Sequence, residues 1–160
     1  MGMEAAASLL VFVLASAAAA TPGIAFRPGD WYRRLAKPSW CPPDWLFGPV
    51  WLVLYVSVAV SGWLLWRQAG LDRAALALPV YAVQLVLNGL WSTFFFGLRR
   101  PDLAVAEIVL LWLCVLMTIA VFHPIHETAA YILIPYACWI SFAVMLNLSI
   151  WRLNPARASS

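Results

Sequence analysis

The sequence predicts an all-α membrane protein, a five-transmembrane-helix bundle with a long first loop. Three observations carry that expectation. Of the 160 residues, 64% are hydrophobic and only 11% charged, whereas a soluble domain is about 45–50% apolar and about 25% charged. So few charged groups cannot cover a water-facing surface, and a chain with 14% aromatic residues does not read as disordered. Mean hydropathy is +0.85, and five apolar runs reach about 20 residues, the length of a membrane-crossing helix. Helices fit because each satisfies its own backbone in lipid, and the runs lack the alternation of barrel strands. Residues 1–160 therefore read as a single membrane domain.

The five runs are expected at about 5–26, 47–66, 74–97, 103–122 and 129–151. The first has A-x-A sites between Ala17 and Ala20, but Met1 to Glu4 lacks the basic residues that open a signal peptide. It is expected to stay as a helix, and its alanines, serines and Gly23 permit close helix approach. Asp44, Asp72, Asp102 and Thr128 are placed to cap spans two to five. Gly70 follows span two, and Asn154-Pro155 stops span five. Pro79 and Pro135 are expected to kink or widen spans three and five.

Basic residues set the orientation. Arg27, Arg33, Arg34, Lys37, Arg99, Arg100, Arg152 and Arg157 fall on one side of a five-span bundle, against Arg67 and Arg73 on the other. The positive-inside rule places the C-terminus in the cytosol. A net charge of +3, this dispersed, gives no nucleic-acid footprint. Cys41, Cys114 and Cys138 form no C-x-x-C pair, and with His123 and His126 in one short loop no metal site is expected.

The connection from 27 to 46 is long for a helix bundle, and such loops are often functional. Asp30 can cap a short helix through Leu35, after which Pro38, Pro42 and Pro43 force a stiff, extended path. That path fixes Trp31, Trp40 and Trp45 at low entropic cost, in the manner of a lid; an interfacial tryptophan belt is the competing reading.

At this loop W-Y-x-x-L-x-K-P-S-W-x-P-P, Trp31 to Pro43, resembles the signature of the TspO family, the tryptophan-rich sensory proteins and mitochondrial translocator or peripheral benzodiazepine receptors. Pro49-Val50-Trp51 with Tyr55 resembles the family's second helix, and Gln84, Asn88, Trp91 and Phe95-Phe96 its third. Ile134-Pro135-Tyr136, Trp139 and Leu146-Asn147 resemble its fifth. The resemblance implies a receptor for tetrapyrroles such as protoporphyrin IX and haem, for lipids or sterol-like molecules, and for synthetic aromatic ligands. It implies no required cofactor beyond porphyrin or haem as ligand. It also implies a homodimer, in a bacterial membrane or the outer membrane of bacteria or mitochondria. Light- and oxygen-dependent porphyrin breakdown, involving Trp51 and Trp139, and porphyrin or sterol transport are the alternative activities. Leu148 stands where animal members carry a Tyr in their sterol-recognition segment, which weakens the sterol reading and leaves porphyrin untouched.

The residues can be weighed against that implication. A porphyrin is a flat apolar disc with two propionates, needing aromatic walls and a few orienting polar groups. Trp51 and Tyr55 share one helical face, as do Tyr136, Trp139 and Ala143, and again Tyr81, Gln84, Asn88 and Trp91. With Trp40 and Trp45 from the loop these form the expected pocket, and Arg33, Arg34 and Lys37 are placed to meet propionates. Ordinary helix packing competes for each aromatic, and an interhelical hydrogen bond for Gln84 and Asn88. Glu107 is costly within a span, yet one turn from its start the side chain can snorkel to the interface. Small residues of spans one and three, including Ala82, Gly89 and Gly97, are candidates for a dimer contact. Neither a Ser-His-Asp nor a Cys-His set nor paired carboxylates lie within the spans.

Overall fold

The computed structural model describes residues 2–26 and 28–155, with backbone alone at Leu71 and Asp72. Arg27 and Arg157 of the charge count, and the expected Asp72 cap, lie outside the described residues. Regular structure among the described residues is entirely helical: α1 Met3–Ala25, α2 Asp30–Arg33, α3 Asp44–Arg73, α4 Ala77–Ser92, α5 Pro101–Phe122, α6 Glu127–Ile132 and α7 Ile134–Leu153. A π-helical turn, Thr93–Gly97, continues α4. Five spans of 23, 27, 21, 22 and 27 residues are long and apolar enough to cross a membrane, the fifth built from α6 and α7 together. The protein is an integral, multi-pass membrane protein.

Local chemistry shifts the span ends from their expected places. Asp44 is the first residue of α3, after an extended Pro43, and makes no cap bond. The Asp102 carboxylate, in the first turn of α5, accepts from Arg100 Nε and Nη2 at 2.9 and 2.6 Å instead of capping the helix. His126, not Thr128, caps α6: its Nδ1 accepts from the Ala129 N–H at 3.3 Å. The acidic residues still complement the helix dipoles, because each lies in a first turn. Pro79 does not kink its span; it falls in the first turn of α4, where a missing N–H costs nothing. Pro135 does break its span, since it offers no N–H to the Tyr131 carbonyl, and α6 gives way to α7 at Leu133. At Gly70 the backbone takes φ 61° and ψ −167°, bending the end of α3.

Around the bundle α1 packs on α3 and α4, α4 on α5, and α5 on α7, while α3 closes the circuit chiefly against α6. The main core, including Leu54, Leu65, Tyr81, Leu111, Phe122 and Ile140, fills the bundle away from the first loop. A second cluster at the loop end joins Tyr32 and Leu35 of the loop to Phe95, Ala104, Leu146 and Ile150. The first loop is thereby seated on the bundle and not splayed at its rim.

Two expectations fail on packing grounds. Gly89 is buried against α1: a Cβ there would stand 3.2 Å from the Ala19 carbonyl oxygen and 3.5 Å from Pro22 Cγ. One on Gly97 would meet the Phe26 ring at 3.2 Å. These glycines serve approach between helices of one chain, whereas Ala82 remains on an exposed face. Glu107 does not snorkel either. It is buried in α5, and neither carboxylate oxygen has a hydrogen-bond partner among the described residues. Its turn faces neighbouring helices, so a stem one turn from the helix start has no route to the interface.

Candidate functional site

A cavity of about 410 Å³ lies between the loop and the bundle, within the range typical of small-molecule sites. Its wall includes Trp51 and Tyr55 of α3, Asn88 and Trp91 of α4, and Trp139 and Ala143 of α7. The i, i+4 spacing in α3 and α7 turns each of those pairs to one side. Ala143 keeps the space open where a larger side chain would fill it. Phe95 and Phe96 of the π-helical turn and Tyr32 of α2 border the cavity at the loop end.

The aromatic wall is continuous. Trp51 stacks on Trp91 with centroids 6.4 Å apart and an interplanar angle of 24°. Trp91 in turn stacks on Phe95 at 5.5 Å and 23°. The Trp91 indole N–H donates to Asn147 Oδ1 at 3.1 Å, which fixes the ring that both neighbours lean on. Trp139 meets Phe47 edge to face at 5.9 Å, and its own N–H has no hydrogen-bond partner among the described residues.

A polar chain runs below. The Tyr55 hydroxyl donates to Asn88 Oδ1 at 2.5 Å, and Asn88 Nδ2 donates to the Tyr136 hydroxyl at 2.6 Å. Tyr136 donates onward to Gln84 Oε1 at 3.3 Å. Three helices are tied at one level by these bonds. Asn88 is both interhelical link and cavity wall, whereas Gln84 is buried beneath and leaves its Nε2 without a partner among the described residues.

The remaining expected residues lie outside the cavity wall. Trp45 points outward with 71% of its surface exposed, and Trp40, 45% exposed, rests edge-on against Phe142 at 5.7 Å. Arg33 pairs with Asp30 on the outer face of α2. Arg34 is exposed on the loop. Lys37 sets its ammonium 3.7 Å from the centre of the Tyr32 ring, a cation–π contact that holds the loop's own fold. Burial, then the neighbouring Cys41 and Asp44, push the Tyr32 phenol above its ordinary range, so it stays protonated.

Sequence reasoning missed Asn147 as the support of Trp91, Tyr136 as the hub of the polar chain, and Asn154, which binds the loop. The Leu146-Asn147 pair and Tyr136 were visible in the motif pattern, but their partners lie on other helices.

Against known proteins, residues 6–152 match the TspO/MBR family. The chain belongs to that family. It is 41% identical over 149 residues to Protein CrtK of Rhodobacter capsulatus, covering 91% of both chains. It is 39% identical over 137 residues to the tryptophan-rich protein TspO of Chlorobaculum tepidum, covering 81% of this chain and 83% of that one. To the Homo sapiens translocator protein it is 35% identical over 148 residues, 89% of this chain and 88% of the relative. The TspO/MBR match spans all five membrane helices and the first loop, so the cavity lies wholly within the shared region.

Proposed function

We propose that this TspO/MBR protein is a membrane receptor for tetrapyrroles, with protoporphyrin IX or haem held in the cavity under the first loop. The reading rests on the run of near-parallel rings Trp51, Trp91 and Phe95 along the cavity wall, an aromatic lining suited to a flat, polarizable ring system. Asn88, Ser92, Asn147 and Asp44, with the Tyr32 and Tyr55 phenols, add a few polar groups to a mostly apolar lining, the pattern of a site that orients one ligand. Arg33, Arg34 and Lys37 lie outside the cavity wall on the same loop, so propionates would meet them only at the loop edge of the cavity, with Arg33 already paired to Asp30 and Lys37 over Tyr32.

The test is a titration of protoporphyrin IX in the dark with wild type and with the Trp51→Phe/Trp139→Phe double variant. Aromatic pairing contributes about 0.5–1.5 kcal/mol beyond area burial, so each change should weaken binding by less than about tenfold and the pair by about fivefold or more. Unchanged affinity in the double variant overturns the pocket assignment. Following the bound porphyrin under illumination separates a receptor from a degrading enzyme, because only the latter bleaches it catalytically.

A further inference from the structure

Asn154, the residue that ends α7, is buried with 8% of its surface exposed. Its Oδ1 accepts from the Ala36 N–H at 3.0 Å, and its Nδ2 donates to the Ala36 carbonyl at 2.9 Å. One planar amide thus meets both backbone groups of a single loop residue, much as a neighbouring strand would. Nδ2 also donates to the Ile150 carbonyl at 2.7 Å. That carbonyl belongs to the last turn, where intrahelical donors run out, so the same side chain finishes α7 and grips the loop.

The surroundings give this grip leverage on the cavity. Leu35, beside Ala36, is buried in the same cluster as Ile150. Leu146, Asn147 and Ile150 line the cavity one and two turns before Asn154, so a single helix carries both a wall and the loop's attachment. An Asp at this position could still accept from Ala36 N–H, but it would set a carboxylate against two carbonyl oxygens. A Leu would fill the space and form none of the three bonds.

We propose that Asn154 is the clasp that holds the first loop closed over the cavity, and that it sets how long a ligand stays there. The residence-time part rests on the receptor reading above; the clasp itself does not. Opening the loop uncovers Cys41, which is half-buried against the loop-end core. Cys114, half-buried in α5 with its thiol directed to the Val80 carbonyl, reports on the bundle itself.

The experiment compares Asn154→Leu and Asn154→Asp with the parent, all with Cys138 replaced by Ala, in detergent without added ligand. Maleimide modification of Cys41 should accelerate at least tenfold in both variants while Cys114 keeps its parent rate. An unchanged Cys41 rate, or Cys41 and Cys114 accelerating together, overturns the clasp. Protoporphyrin IX release, followed by dilution, should accelerate by a similar factor, with a smaller change in equilibrium affinity because entry quickens too. Faster Cys41 labelling with unchanged release overturns the control of residence time. Failure of the parent to bind protoporphyrin IX overturns the receptor reading, and the Cys41 rates then still decide the clasp.

Discussion

Tyr136→Phe removes one oxygen atom from the centre of the bundle, and its cost can be worked from the bonds it breaks. That hydroxyl accepts from Asn88 at 2.6 Å and donates to Gln84 at 3.3 Å, in a residue only 1% exposed. An interhelical hydrogen bond in a membrane protein contributes about 0.6 kcal/mol on average and at most about 1.7 kcal/mol. Two such bonds are lost, and both former partners remain buried, so the expected cost is about 1–2 kcal/mol. Tyr55→Phe breaks one bond at the cavity wall, where Asn88 Oδ1 keeps access to the cavity, and should cost about 0.6 kcal/mol. Equilibrium unfolding in mixed micelles of denaturing and mild detergent measures both. A double-mutant cycle of Tyr136→Phe with Asn88→Leu should show coupling of about 0.6 kcal/mol or more. If Tyr55→Phe costs as much as Tyr136→Phe, or the cycle closes with no coupling, the polar chain does not tie the helices as described.

Gly89→Leu should lower the melting temperature by several degrees through the collision with the Ala19 carbonyl, and an unchanged melt would mean that α1 yields without cost. Glu107→Leu should stabilise the protein by about 1 kcal/mol, because an unpartnered buried carboxyl is replaced by an apolar group. A fall in denaturation midpoint would count against that. Gly70→Ala forces a side chain into a left-handed backbone at φ 61° and should cost about 1–2 kcal/mol in the same unfolding assay. For insertion into an inner membrane, the excess of basic residues on the loop side predicts that Cys41 faces the cytosol. A membrane-impermeant thiol reagent should then spare it in intact cells and label it after permeabilisation.

The five spans were legible because apolar length is a property of the chain alone, and lipid leaves it one solution. Their ends were less so. Asp102 and Thr128 matched capping chemistry, yet Arg100 captured the one carboxylate and His126 took the other's task. Helical phase grouped Trp51 with Tyr55 and Trp139 with Ala143, and all four line one cavity. It could not separate Gln84 from Asn88, because one face of α4 passes from cavity wall to buried core within a single turn. The burial of Glu107 depends on which neighbours α5 meets, and span position carries no such information. Asn154 read only as a helix stop, since its partner Ala36 lies 118 residues away in sequence.

The π-helical turn puts two adjacent phenylalanines on the same guest. In a regular α-helix, neighbouring side chains diverge by about 100°, yet Phe95 and Phe96 both lie edge-on to Tyr32, at 6.1 and 5.5 Å. The widened turn, closed by the Leu98 N–H to the Thr93 carbonyl at 2.8 Å, accommodates the residue that makes this possible. Seen as a register, the chain carries one residue more than a continuous helix needs, and everything after it is rotated relative to Gln84 and Asn88. A one-residue deletion between Thr93 and Gly97 could therefore restore an unbroken helix and still ruin the site. It would take one ring away from Tyr32 and re-aim the start of α5 against its neighbours, an error of phase with no loss of helicity to announce it.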